Sequence, residues 1–198
     1  MPSSENIQLY LIGAWRMMMG KADGLRLLDL TADGFWNSFF AIVVALPPLM
    51  VGWVGVANEF SMISADFGSR FSIALRFAVI DLAVWVLPIV ALAAVASRVG
   101  LAGRFVHLVV ASNWASALFI WLTVPVPLAG LIWSLGPETR VSLSLVLLAL
   151  NLVVTWRVTH VAVAKGAAIT SAIVAGMFVM SLLVQALLMA ALGLGQAS

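Results

Sequence analysis

Two long stretches of this chain, 35–58 and 166–198, contain no Asp, Glu, Lys or Arg, and a third, 105–137, carries only His107. From Phe35 onwards there are eleven formally charged residues, most of them in short clusters between apolar runs. A soluble domain of this length has nowhere to bury so much apolar surface, whereas a bilayer accepts about 20 consecutive apolar residues per helical crossing. In lipid every backbone N–H and C=O needs an internal partner, so only helices or closed barrels can span. The runs are continuous rather than alternating, which selects helices. With a mean hydropathy of +1.14, the chain reads as an all-α, polytopic transmembrane helical bundle.

About five spans follow: 35–57, 71–96, 105–135, 141–163 and 167–193. Pro47 and Pro48 fall near the middle of the first and Pro88 inside the second. A proline removes a helical hydrogen bond and clashes with the preceding turn, so a kink or break is expected at each place. The third run is too long for one perpendicular helix. Either 105–124 spans and Pro125 and Pro127 begin a loop, or the helix tilts and kinks through both. Lys165-Gly166 makes a tight turn before the last span.

Residues 1–34 hold seven of the eighteen formal charges and read as a cytoplasmic or interfacial lead-in to a five-span domain over 35–198. Within the lead-in, Ile7, Leu11, Trp15 and Met18 recur at helical spacing over a stretch too short to span. This amphipathic helix either lies on the membrane surface or packs on the domain's own spans. Its basic residues Arg16, Lys21 and Arg26 suit an interface. Thr31 or Asp33 is placed to cap the helix that follows.

Charge and composition narrow the partners. The net charge of +2 comes from basic residues scattered at the ends of apolar runs, where membrane topology puts them, so nucleic acid is not an expected partner. Seven Lys and Arg residues (Arg16, Lys21, Arg26, Arg98, Arg104, Arg157, Lys165) fall on one side of the five spans, with Arg70, Arg140 and, just inside the second span, Arg76 on the other. That bias predicts a cytoplasmic N-terminus and an outside GLGQAS tail. The start, MPSSENIQ, lacks a basic signal-peptide region, so the first span reads as an uncleaved signal anchor. Without cysteine there is no disulfide, thiolate metal site or cysteine nucleophile. His107 and His160 stand alone among basic residues, so no metal or other cofactor is expected.

Asp81 is the sharpest candidate for chemistry, since an ionised carboxylate in mid-span costs roughly 2.5–3.5 kcal/mol. Asn151 falls near the middle of the fourth span, and Asn113 lies in the third. One reading gathers Asp81, Asn113 and Asn151 into a midplane polar site beside carbonyls freed at Pro47-Pro48, as in many transporters. The other makes them interhelical hydrogen-bonding groups. Ala168, Ala172 and Gly176 form a small-residue packing ridge on the last span, within the domain or between subunits. Trp36, Trp53, Trp133 and Trp156 sit near span ends, as in an aromatic belt. Glu59, Asp66 and Glu138 fall in outside loops and read as solvated. A weak internal echo sets Trp36, Ser38 and Pro47 against Trp114, Ser116 and Pro125 at identical spacings, by duplication or by chance.

In layout, with an amphipathic lead-in and five spans, the chain resembles the Yip-domain membrane proteins. Locally, GLRLLDLTADGFWNSFF leading to Pro47-Pro48, and the pair Asn113-Trp114, look like bacterial, notably alphaproteobacterial, relatives. The Asp-Leu-Tyr-Gly-Pro type signature of the eukaryotic members is absent, so Rab binding is not carried over. The eukaryotic members act in vesicle trafficking through partners rather than catalysis; for the bacterial branch the resemblance implies an integral inner-membrane protein and no particular role. Two functions are therefore expected: a non-enzymatic scaffold, adaptor or accessory subunit engaging lipid, other membrane proteins or itself; or a small, proton-coupled transporter or transporter subunit using Asp81.

Overall fold

The structure is a computed structural model and describes residues 1–60, 66–133 and 136–194. Its elements are α1 (Ser4–Met18), a 3-10 turn (Ala22–Leu27), α2 (Ala32–Ser38), α3 (Phe40–Phe60), α4 (Phe67–Ala96), a second 3-10 turn (Ala102–Arg104), α5 (Phe105–Thr123), α6 (Pro125–Ile132), α7 (Pro137–Val163) and α8 (Ala167–Ala191). No strand occurs among the described residues. Five segments are long and apolar enough to cross a membrane: Ala32–Phe60, Phe67–Ala96, Ala102–Gly130, Pro137–Val163 and Ala167–Ala191. The expected end of the third span at 135 and most of the GLGQAS tail lie outside the described residues.

Helix starts follow local chemistry. Ser3 accepts from the Asn6 N–H and caps α1, while Thr31 rather than Asp33 caps α2, accepting from the Gly34 N–H at 3.1 Å. Asp66, expected to be merely solvated, caps α4 through the Ser69 N–H at 3.0 Å. Pro137 opens α7 with Glu138 in its first turn, where a fixed φ and an acidic group both suit a helix N-terminus. Ala164 ends α7 in the left-handed region (φ 52°), and Gly166 (φ 85°) completes the turn into α8.

The breaks fall differently from the expectation. α3 runs unbroken through Pro47 and Pro48, and α4 through Pro88. The interruption in the first span is instead at Phe39, just after Ser38 turns its hydroxyl back onto the Phe35 carbonyl at 2.7 Å. Such a local bond competes with the helical ladder and bends it. In the third span the break is at Val124, ahead of Pro125, so the run continues as a second helix rather than a loop.

Each spanning helix packs chiefly on two neighbours, in the circuit α3, α4, α8, α7, α5 and back to α3, with a lesser contact between α4 and α5 across it. α5 is the inner member: 44% of its apolar window is buried, against 6% for α7. Leu108, Val110, Trp114 and Ala117 of α5 meet Ala41 and Ala45 of α3 and Val158 of α7 in the core. The N-terminal segment closes one end of this circuit. α1 packs on α5 and α7, burying Tyr10, Ala14, Met17 and Met18, with the Tyr10 ring 5.2 Å from that of Trp114. The Arg157 guanidinium donates to the Met18 carbonyl at 3.2 Å, which ties α7 to the end of α1. α1 also meets the first 3-10 turn backbone to backbone at Gly13 and Gly24, where a Cβ on Gly13 would lie 2.8 Å from the Gly24 carbonyl oxygen.

Candidate functional site

Asp81 lies on the inward side of α4, half-buried, and accepts a hydrogen bond from the Trp53 indole N–H of α3 at 2.7 Å. One turn further along α4, the Trp85 indole donates to Asn113 Oδ1 at 2.9 Å. Asn113 is fully buried and its amide donates in turn to Ser38 Oγ at 2.9 Å, also fully buried. The chain Trp85–Asn113–Ser38–Phe35 therefore stitches α4, α5 and α2 together, and the Trp53–Asp81 bond joins α3 to α4 below it. Each pair lets polar groups enter an apolar interior with partners already supplied.

Asn151 is elsewhere. It is exposed on α7, and with Ser112, Ser116 and Thr155 it lines a small cavity of about 30 Å³ against α5. That volume admits a water-sized molecule and nothing larger. Asp81, Asn113 and Asn151 thus do not converge on one site. Asp81 on α4 and Asn113 on α5 sit one α4 turn apart, because Asn113 is held by Trp85, and Asn151 opens on another face.

The proline pair leaves its mark through a partner that spacing did not reveal. Pro48 has no N–H for the Val44 carbonyl four residues earlier, and the Trp121 indole of α5 donates to that carbonyl at 2.9 Å. Trp53 and Trp156 are likewise more than belt residues. Trp53 holds Asp81, while Trp156 stacks on His160 with centroids 4.9 Å apart and donates to Ser171 of α8 at 3.1 Å. Trp36 and Trp133 are 72% and 64% exposed, as belt residues should be. His160 Nδ1 is 3.2 Å from Thr170 Oγ1, so this histidine bridges α7 and α8. His107 Nδ1 is buried with no hydrogen-bond partner. Among the described residues no group of three or more His, Cys, Asp or Glu could hold a metal. The echo of Trp36 and Ser38 in Trp114 and Ser116 does not extend to surroundings: Trp114 is 1% exposed, and Ser116 lines the small cavity rather than binding an asparagine.

The basic lead-in residues are only partly free. Arg16 pairs with Asp23 at 2.5 Å, both half-exposed, whereas Lys21 and Arg26 are exposed. On the opposite end Glu59 is no solitary solvated acid, because it pairs with Arg140 at 2.6 Å.

A cleft of about 450 Å³ opens between α4 and α8. Its walls are apolar, among them Pro88, Leu92 and Val95 on one side and Ala172, Gly176 and Met180 on the other. Two of the three ridge residues, Ala172 and Gly176, therefore face an open cleft. Ala168, Ala172 and Gly176 are all exposed, and a Cβ added at Gly176 meets nothing within 4 Å. The two walls are pinned at both ends: Arg76 donates to the Leu192 carbonyl at 2.9 Å, and the Lys165 ammonium sits on the Gly100 carbonyl. No family model, curated protein or solved structure matches the chain.

Proposed function

We propose that this integral membrane protein is a non-catalytic scaffold or adaptor, acting through lateral contacts with lipid and other membrane proteins. One observation carries the reading. The midspan polar side chains Asp81, Asn113 and Ser38 are spent on interhelical bonds (Trp53–Asp81 and Trp85–Asn113–Ser38), while the α4/α8 cleft is apolar. A transport site needs polar groups lining a passage, and an intramembrane enzyme needs a nucleophile or metal beside a base. The excess of Lys and Arg at the α1 end supports a cytoplasmic N-terminus in a bacterial inner membrane, in keeping with the Yip-like layout.

The test has two arms. Tagged protein is taken into lipid nanodiscs and co-purifying chains are identified; a stoichiometric partner is expected, and a lone chain counts against an adaptor. Asp81→Asn keeps the indole's acceptor and removes the titrating group, so association is expected to persist. The transporter reading rests on Asp81 being half-buried, with Trp53 its one hydrogen-bond partner among the described residues. It requires a proton-coupled flux in reconstituted vesicles that Asp81→Asn abolishes, and such a flux would overturn the scaffold reading.

A further inference from the structure

We infer that the α4/α8 cleft is a binding site for an anionic phospholipid, with one acyl chain along the apolar walls and the headgroup at the end marked by Arg98 and Lys165. The inference needs only that the five helices cross a bilayer, and it stands whether or not the scaffold reading does.

The length of the cleft is the first argument. Its α8 wall runs from Ile169 to Met180, twelve residues, and its other wall runs along α4 from Pro88 to Val95 and on to Val99 in the turn beyond the helix end. At 1.5 Å per residue the α8 wall is about 16 Å long, close to half of a hydrocarbon core about 30 Å thick. Met180 lies beside the middle residue of α8, and Ile169 is in its first turn. The cleft thus extends from mid-helix to one interface, which is the reach of a chain from a single leaflet. Its volume of about 450 Å³ is in the range of small-molecule sites, and smooth small residues at Ala172 and Gly176 leave the floor open.

Charge supplies the second argument. The interfacial end, at Val99, Leu101 and Ile169, is the end where Lys165 reaches across to the Gly100 carbonyl. A Cβ on Gly100 would lie 3.4 Å from the Lys165 ammonium, so that cation stands between two wall residues. Arg98 is exposed, makes no hydrogen bond or ion pair among the described residues, and lies in the turn just past the end of α4, next to the wall residue Val99. Neither 82–137 nor 139–198 contains an Asp or Glu, so nothing on α4 beyond Asp81, on α5, or on α8 neutralises this end. The opposite end of the cleft is apolar. A phosphodiester with a net negative charge fits that polarity, and a zwitterionic headgroup fits it less well.

The test is native mass spectrometry of the full chain released from detergent, with phosphatidylglycerol or phosphatidylcholine of identical acyl chains as the added probe. Wild type is expected to retain phosphatidylglycerol on the order of tenfold better, the scale of two cations near a surface. Arg98→Gln combined with Lys165→Gln should abolish that preference, whereas Arg26→Gln, which removes a cation at the same end but away from the cleft, should leave it intact. Gly176→Leu fills the cleft floor without a clash inside the chain and should lower retention of both lipids. Circular dichroism melts confirm that each variant is folded before its spectrum is read. Equal retention of the two lipids by wild type, or a preference unchanged in the double variant, overturns the inference. So does a dimer that carries no lipid and dissociates in Gly176→Leu, since the occupant would then be a second copy.

Discussion

Asn113 shows how one polar side chain can set the register of several helices. Its carbonyl and amide are both used, and both partners are themselves buried or half-buried. Asn113→Ala would strand the Trp85 N–H in an apolar interior, where an unpartnered polar group costs about 1–3 kcal/mol, and would leave Ser38 only its bond to the Phe35 carbonyl. The expected result is a fall of that size in unfolding free energy, read by denaturant titration in mixed micelles. Trp121→Phe should cost a similar amount, because it frees the Val44 carbonyl that Pro48 cannot satisfy. Ala164 points the other way. It holds a left-handed conformation that costs a residue with a Cβ about 1 kcal/mol, so Ala164→Gly should stabilise by roughly that amount in the same assay.

At the scale of elements, the spans were legible because lipid leaves a chain few choices: continuous apolar runs must be helices, and their ends are marked by caps and charges. What was not legible was where helices break and what polar residues meet. Pro47-Pro48 signals a break by local rules, but the Trp121 indole compensates the lost bond, and the break moves to Phe39 behind Ser38. Asp81 and Asn113 are conspicuous in apolar sequence, yet their donors are indoles: Trp53, which the pattern assigns to the interface, and Trp85, to which it assigns no role. The available signal was the four-residue spacing of Asp81 and Trp85 on one helical face, together with the need of any buried Trp N–H for an acceptor. Two element-level outcomes follow. Gly24→Ala places a methyl inside contact with the Gly13 carbonyl, so α1 should be pushed off the first 3-10 turn, costing about 1–3 kcal/mol and exposing residues 19–31 to protease. Hydrogen bonds from Ser69 hold the Asp66 carboxyl below its usual range. A depressed folded-state pKa stabilises above the unfolded value and is lost as pH falls through the folded one, so the start of α4 should fray only below about pH 4. Asp66→Asn, which still caps, should remove that pH dependence from amide exchange at Ser69.

At the scale of the molecule, the circuit of five helices sorts surfaces that share one composition. α5 and α7 are both apolar, but α5 is enclosed and α7 is not. Because the chain has no cysteine, single-cysteine spin labels can report this directly. Labels at Leu145 and Leu187, 60% and 70% exposed, should relax with oxygen dissolved in lipid, whereas one at Val110, 1% exposed, should not. Equal accessibility at all three would mean that the circuit is wrongly closed.

The contact between Arg157 and the carbonyl of Met18 spans 139 residues of sequence. Synthesis runs from N- to C-terminus at about 5–20 residues per second, so α1 is complete roughly 7–28 s before its anchor on α7 exists. Until α5 is made, the Tyr10 and Ala14 face lacks the Trp114 side of its packing, and the nearest apolar medium is the membrane surface. The two sequence readings of α1 thus become successive stages of one biogenesis: a helix that first rests on lipid, then is gathered in by the third span and locked when the fourth arrives.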